Sequence, residues 1–118
     1  MKTESEKLEY LNKVLHSNYT SLNEVHWGYI TIYQKLSEDF IREFQDYVDW
    51  QSISFQPNLS ENFIREFAEK VNWRYISIFQ KLSEDFIREF KEKVDWYCIS
   101  KYQKLSKSFI REFQDRIE

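Results

Sequence analysis

The chain has 118 residues, of which 42% are hydrophobic and 19% aromatic, and its formal net charge is −3. This length suits one domain with a real core, and this composition excludes a disordered tail. The finely mixed charges argue against a general nucleic-acid binder, which usually has a basic excess. The single cysteine, Cys98, excludes an internal disulfide and fits a reducing compartment. Because no membrane span or signal peptide is visible, we expect an intracellular, cytoplasmic protein without a membrane partner.

Residues 1–26 predict an amphipathic helix followed by a turn. Apolar side chains fall on one helical face, at Leu8, Leu11, Val14 and Leu15. Thr3 or Ser5 would provide the N-cap of this helix, and residues 17–21 would form the turn. We therefore expect residues 1–26 to form an N-terminal helical cap that covers one end of the structure that follows.

The rest of the chain is an internal repeat. The sequence LSEDFIREF at 36–44 returns as LSENFIREF at 59–67, LSEDFIREF at 82–90 and LSKSFIREF at 105–113. The four tryptophans keep the same 23-residue step, at Trp27, Trp50, Trp73 and Trp96. A fixed period of this size is typical of a solenoid, so we divide the chain into four repeats: 27–49, 50–72, 73–95 and 96–118.

Each repeat carries two helix-start signals. The first is an Asx residue before the next tryptophan (Asp49, Asn72, Asp95), and the second is a serine (Ser37, Ser60, Ser83, Ser106). In the second repeat the first helix would run from Trp50 to about Gln56, ended early by Pro57. The second helix of the first repeat would run from Glu38 to about Tyr47.

Residues 29–33 contain good β formers and could alternatively form a strand. Helical spacing places Trp27 and Ile30 on one face, whereas strand alternation would separate them, so we favour the helix. The predicted fold is an all-α solenoid of four helix-turn-helix repeats. We expect the repeated small residues, Thr31, Ser54, Ser77 and Ser100, where two helices approach closely.

The sequence shows no catalytic, metal or cofactor motif, and we expect no enzyme. The carboxylates around Arg42 predict surface pairs at i, i+4 with Glu38 and Asp46, and this pattern returns around Arg65 and Arg88. His16 and His26 lack zinc-ligand spacing, and His26 stands where the other repeats have a cap. Cys98 has no fixed base near it, which favours a buried or idle thiol over a nucleophile.

Positions that vary within the constant frame indicate a binding surface. They lie at the second, third, sixth and seventh residues of each tryptophan helix and are rich in aromatic and aliphatic side chains, which protein interfaces favour. The candidate protein-binding residues are Tyr29, Ile32, Tyr33, Phe55, Arg74, Tyr75, Ile78, Tyr97 and Lys101. Two alternatives are that the third and seventh positions complete the core between repeats, and that the rings stack on nucleic-acid bases.

The frame W-x-x-I-S-x-x-Q-x-L-S-E-x-F-I-R-E resembles a short tryptophan-bearing repeat that occurs in tandem in uncharacterised proteins of large DNA viruses, phages and some bacteria. The resemblance covers residues 27–118, and the second repeat departs from it at Pro57-Asn58. It implies tandem helical units and a viral or mobile-element origin, with the host cytoplasm as location. It implies no particular partner and no catalytic residue.

These observations predict a non-enzymatic module that binds another protein, as a monomer or weak homo-oligomer. A phage- or virus-encoded inhibitor that occludes a host protein is one form of this function. The alternatives are a self-assembling structural repeat protein and a single-stranded nucleic-acid binder. Lys101, Lys107, Ser108 and Arg116 make the last repeat more polar, which favours a self-capped end over stacking.

Overall fold

The structure, a computed structural model, describes residues 2–117. Over these residues the chain is all-helical, with nine α-helices, one 3-10 helix and no strand. The N-terminal part contains α1 (Glu4–Leu15) and the 3-10 helix Leu22–Glu24. The repeats contain α2 (Trp27–Tyr33), α3 (Glu38–Glu43), α4 (Trp50–Ser54), α5 (Glu61–Glu66), α6 (Trp73–Phe79), α7 (Glu84–Glu89), α8 (Trp96–Tyr102) and α9 (Lys107–Glu112). Helices begin at a tryptophan every 23 residues, which confirms the predicted helical repeat solenoid and excludes the strand alternative at 29–33.

The predicted helix starts are confirmed at the level of hydrogen bonds. The hydroxyls of Ser37, Ser60, Ser83 and Ser106 each accept a bond from the phenylalanine N–H three residues later. The side chains of Asp49, Asn72 and Asp95 accept bonds from the first turns of α4, α6 and α8. His26 makes no side-chain cap bond to α2, as expected for a degenerate cap.

The second helices are shorter than predicted. In the first repeat α3 ends at Glu43, and residues 44–47 form turns instead of continuing to Tyr47. The Phe44 backbone leaves the helical region at φ −112 and ψ 30, and the Tyr47 N–H bonds to the Phe44 carbonyl at 2.9 Å. The early end of α4 before Pro57 is confirmed, because α4 spans five residues and α6 seven.

The chain divides into two compact units, Met1–Val48 and Asp49–Glu118. In the first unit, α1 packs on the first repeat through Tyr10, whose ring centroid lies 6.0 Å from that of Phe40 and 6.1 Å from that of Phe44. Lys2 Nζ lies 2.9 Å from a carboxylate oxygen of Glu43. Thr3 and Glu6 form a reciprocal capping box at the start of α1, so Thr3 is the N-cap.

In the second unit, Trp73 and Trp96 each join two repeats. Trp73 Nε1 donates to the Ala68 carbonyl of the preceding repeat at 2.9 Å, while its ring stacks on Phe90 of its own repeat at 5.1 Å. Trp96 Nε1 donates to the Lys91 carbonyl in the same way, at 2.9 Å. The indole therefore fixes the spacing between repeats as well as filling the core.

Two of the four repeated small residues, Ser54 and Ser77, make hydrogen bonds both within their own helix and to the start of the next tryptophan helix. Ser54 and Ser77 are fully buried, and each hydroxyl donates to the carbonyl of the tryptophan four residues earlier. The same hydroxyls accept bonds from the N–H groups of Asn72 and Asp95, at 2.8 and 3.1 Å. Each serine thus binds the residue that caps the first helix of the next repeat.

A glutamine clamp links the third repeat to the loop of the second, and the fourth repeat to the loop of the third. Gln80 Nε2 donates to the carbonyls of Ser54 and Gln56, at 3.0 and 2.7 Å, and its Oε1 accepts from the Leu59 N–H at 3.1 Å. Gln103 repeats the arrangement on the carbonyls of Ser77 and Gln80 and the N–H of Leu82. The clamp supplies partners to loop backbone groups that have no helical partner.

In the second and third repeats the arginines form their close ionic contacts with the next repeat instead of at i, i+4, although Glu61 retains the predicted electrostatic attraction to Arg65. Arg65 forms a bidentate pair with Glu89 of the next repeat, at 2.7 and 2.8 Å, and Arg88 binds Glu112 likewise. Glu61, predicted to pair with Arg65, accepts its hydrogen bonds from the N–H and hydroxyl of Ser83, at 2.6 and 3.0 Å. The two-bond geometry across the repeat boundary is available only once the repeats stack. Each arginine also keeps one contact on its own helix, from Arg65 to Asn62 and from Arg88 to Asp85. In the first repeat the predicted Arg42–Glu38 contact is present, at 3.9 Å.

Candidate protein-binding surface

Each tryptophan helix has a buried side and an exposed side. In α8, Ile99 is fully buried whereas the neighbouring Tyr97 is 68% exposed. In α6, Ile76 and Ser77 are fully buried whereas Phe79 is 55% exposed. The helical period places the fourth and fifth positions toward the core and the second and seventh toward solvent.

Three rings form an aromatic triad in the second unit: Phe55, Tyr75 and Phe79. The Phe55 centroid lies 5.7 Å from that of Tyr75 and 6.0 Å from that of Phe79, and Tyr75 lies 6.1 Å from Phe79. Gln51 Nε2 donates to the Tyr75 hydroxyl at 3.0 Å. Phe55 and Phe79 are exposed and Tyr75 is half-buried, so the triad presents a contiguous apolar surface.

A second exposed group lies on α8 and consists of Tyr97, Lys101 and Tyr102. We call it the lysine cluster after its one cation. Lys101 Nζ lies 5.8 Å from the Tyr97 ring centroid and 5.5 Å from that of Tyr102, within cation–π range. Both tyrosines are more than half exposed. The other repeats have Ile32, Phe55 and Ile78 at the lysine position, so the last repeat exchanges an apolar contact for a cation.

A groove of about 460 Å³ adjoins the lysine cluster and is lined by Tyr97, Ser100, Lys101 and Arg116. Arg116 is already bound to Glu92 at 2.8 Å and to the Lys91 carbonyl, and the Ser100 hydroxyl donates to the Trp96 carbonyl. Across residues 2–117, Lys101 has no carboxylate partner. It is therefore the lining cation whose charge remains available to an anionic group.

The four tryptophan helices share a lack of acidic side chains. The sequences of α2, α4, α6 and α8 contain no Asp or Glu, and their charged residues are Arg74 and Lys101. Between residues 27 and 117, the acidic residues lie in caps, in the second helices and in the turns that follow them. The exposed side of the tryptophan helices is thus aromatic and weakly cationic.

In the first unit, α2 presents its own exposed group. Tyr29 and Tyr33 are 60% and 70% exposed, with ring centroids 4.7 Å apart, and Ile32 is 51% exposed. These three side chains occupy the third, sixth and seventh positions of the helix. They form an apolar patch on this unit by themselves.

Seven of the nine residues expected to bind are exposed: Tyr29, Ile32, Tyr33, Phe55, Arg74, Tyr97 and Lys101; Tyr75 and Ile78 are half-buried. The third position also contains Ser52 and Cys98, which are buried, so at those two sites this position completes the core. Sequence reasoning missed Phe79 and Tyr102, both exposed. Both occupy the seventh position of their helix, as Tyr33 does, and this shared position is the sequence signal for them.

Neither a reactive cysteine nor a metal site is found in the part of the chain that the structure describes. Cys98 is 2% exposed, and burial raises the pKa of its thiol, with the nearby Asp95 carboxylate adding to the effect. A thiol in this setting is a poor nucleophile at neutral pH. Within residues 2–117, no group of three or more His, Cys, Asp and Glu side chains is arranged to hold a metal ion.

Comparison with family models, curated proteins and solved structures finds no match to this chain. None of the helices between residues 2 and 117 has the length and apolar character needed to cross a membrane.

Proposed function

We propose that this chain is a non-enzymatic protein-binding module that docks its partner on the exposed side of the tryptophan helices. The observation that supports it best is the concentration of large exposed aromatic side chains on helices that carry no carboxylate. Interface centres are enriched in aromatic residues and depleted of Asp and Glu. The aromatic triad and the lysine cluster both have this composition.

The mechanism is docking without turnover. Aromatic rings supply apolar area at a small cost in side-chain entropy, and tyrosine hydroxyls and Lys101 supply orientation. The partner loses access to the surface it buries, so the module acts by occlusion. Inhibition of a host protein is one form of this function, and it rests on the sequence resemblance alone.

The test is affinity capture with matched baits. One bait is the native chain, and the second carries Phe55→Ser and Phe79→Ser, which remove the exposed rings of the triad while leaving the buried side of each helix intact. We expect the second bait to lose the partner, because truncation of an interface hot spot costs about 2 kcal/mol or more.

A third bait, Val14→Ser, is the control, because Val14 is an exposed apolar residue on α1, outside the tryptophan helices. It should retain the partner, and circular dichroism should show all three baits equally helical. A partner held equally by all baits, or lost equally with Val14→Ser, would rule out this surface. Retention after nuclease treatment distinguishes protein docking from base stacking on the same rings.

A further inference from the structure

The outer side of the fourth repeat differs from the same side of the inner repeats. Ile64 and Ile87 are fully buried in the second and third repeats, each of which has a following repeat packed on it. Their counterpart Ile110 is 40% exposed. Ser100 and Leu105 are half-buried, whereas Ser77 and Leu82 are buried. We call this side, lined by Ser100, Leu105, Lys107, Ile110 and Arg111, the end face.

The inner repeats show what such a face holds. Gln80 of the third repeat bonds to loop carbonyls and a loop N–H of the second repeat. Glu89 of the third repeat accepts hydrogen bonds from Arg65 of the second. The fourth repeat does the same to the third with Gln103 and Glu112. The end face offers the equivalent groups to an occupant, namely the Ser100 and Gln103 carbonyls, the Leu105 N–H and the exposed Arg111 guanidinium.

The end face has a lysine where the second and third repeats have a glutamate. Glu61 and Glu84 each hold the N–H and hydroxyl of the serine that caps the next repeat's second helix. The fourth repeat has Lys107 at this position, and Ser108 follows where the third repeat has Asp85. A lysine in the first turn of a helix opposes the helix dipole, so the substitution does not serve α9 itself.

We propose that the end face docks an acidic amphipathic helical segment of another polypeptide. This inference rests on the proposed protein-binding function and names the chemistry of the partner. The apolar side of the segment covers Leu105 and Ile110, a side-chain amide takes the clamp position, and carboxylates pair with Lys107 and Arg111. Lys101, at the adjoining groove, extends the cationic border.

A second copy of this chain fits the face poorly. The side of the first repeat that would have to dock carries Phe40 and Glu43, which are already engaged by Tyr10 and Lys2 of α1. Two end faces placed against each other would bring Lys107 and Arg111 of both chains together, and like charges at an interface are costly. A segment with carboxylates opposite these residues has neither problem.

The probes are two synthetic 23-residue peptides with the sequence of residues 73–95, one native and one with Ser83→Asp. Aspartate retains the N-cap role of this serine and adds a carboxylate where the occupant meets position 107. Each peptide is titrated by calorimetry into the full chain and into its Lys107→Glu variant, which has the residue of the inner repeats and should fold normally. We expect the Ser83→Asp peptide to bind the native chain about tenfold more tightly than the native peptide does.

On the Lys107→Glu variant the order of the two peptides should reverse. Equal affinities of the two peptides for the native chain, the same order on both chains, or no binding would each overturn the proposal. The Phe55→Ser/Phe79→Ser variant should still bind the Ser83→Asp peptide, because these rings lie outside the end face. If the peptides fail while that variant still loses the captured partner, docking at the end face is wrong and the proposed function stands.

Discussion

A single glutamine side chain carries much of the link between adjacent repeats. Gln80 is 2% exposed and makes three hydrogen bonds to the loop of the preceding repeat. An amide is suited to this task because its NH2 donates to two carbonyls while its oxygen accepts from one N–H. No carboxylate or amine offers both functions at neutral pH.

Replacing Gln80 with alanine should therefore lower the free energy of unfolding by about 1–3 kcal/mol, the cost of leaving buried backbone groups without partners. Urea denaturation followed by circular dichroism measures the change. Gln34→Ala is the matched control, because Gln34 holds the same place in the first repeat but is exposed. An equal loss of stability in the two variants would contradict the role of the clamp.

At the scale of the helices, the loop between α4 and α5 is the unusual one. Asn58 has φ 66, a left-handed conformation that a side chain with a Cβ adopts at a cost and that asparagine tolerates better than most. It follows Pro57, which ends α4 early. The second repeat has Pro57-Asn58 where the other repeats have Gln-Lys, and this change of sequence accompanies a different backbone conformation in the loop.

Asn58→Ala should destabilise the chain by about 1 kcal/mol, whereas Asn58→Gly should be close to neutral because glycine adopts positive φ freely. The measurement is the thermal midpoint of each variant. Lys81→Ala serves as the control, since Lys81 occupies the same place in the third repeat with an ordinary negative φ. Equal midpoints for the alanine and glycine variants would show that this conformation carries no strain.

Helix starts were predictable because capping is local. Ser83 needs only an N–H three residues away, at Phe86, to mark the start of α7. The ends of the second helices and the charge pairs were not predictable in this way. Arg65 meets Glu89 across 24 residues of sequence, and neither side chain indicates this choice over partners on its own helix.

The candidate surface was predictable only in part, for a similar reason. Tyr97 and Cys98 are adjacent variable residues, yet one is 68% exposed and the other 2%. Variability identified both, but only the packing of α8 on its neighbours decides which one faces solvent. Phe79 and Tyr102 were accessible to the same reasoning, because the seventh position was already recognised as variable.

At the scale of the whole molecule, ionic contacts between repeats make stability depend on acidity. The hydrogen bonds from Arg65 lower the pKa of Glu89, and those from Arg116 lower the pKa of Glu92. A carboxyl whose pKa is depressed in the folded state stabilises that state above its unfolded pKa, about 4.3. This contribution disappears as the pH falls through the lower folded value.

The double variant Glu89→Gln/Glu92→Gln should accordingly have a lower free energy of unfolding than the native chain at neutral pH. When the pH falls below about 4.3, its free energy of unfolding should decrease less than that of the native chain. Urea midpoints measured at a series of pH values test this. Glu9→Gln is the control, because Glu9 is exposed and has no cationic partner within the described part of the chain. If the urea midpoint of the double variant depended on pH as strongly as that of the native chain, these ion pairs would not contribute to stability.

The direction of the glutamine clamp has a consequence for synthesis on the ribosome. The Ser54 and Gln56 carbonyls and the Leu59 N–H receive their partners from Gln80, which is added to the chain more than 20 residues after Leu59. The next loop waits for Gln103 in the same way. Each repeat of residues 50–95 can therefore complete these hydrogen bonds only after its successor has been translated and has left the ribosome, so the loops close in order from the N-terminal side.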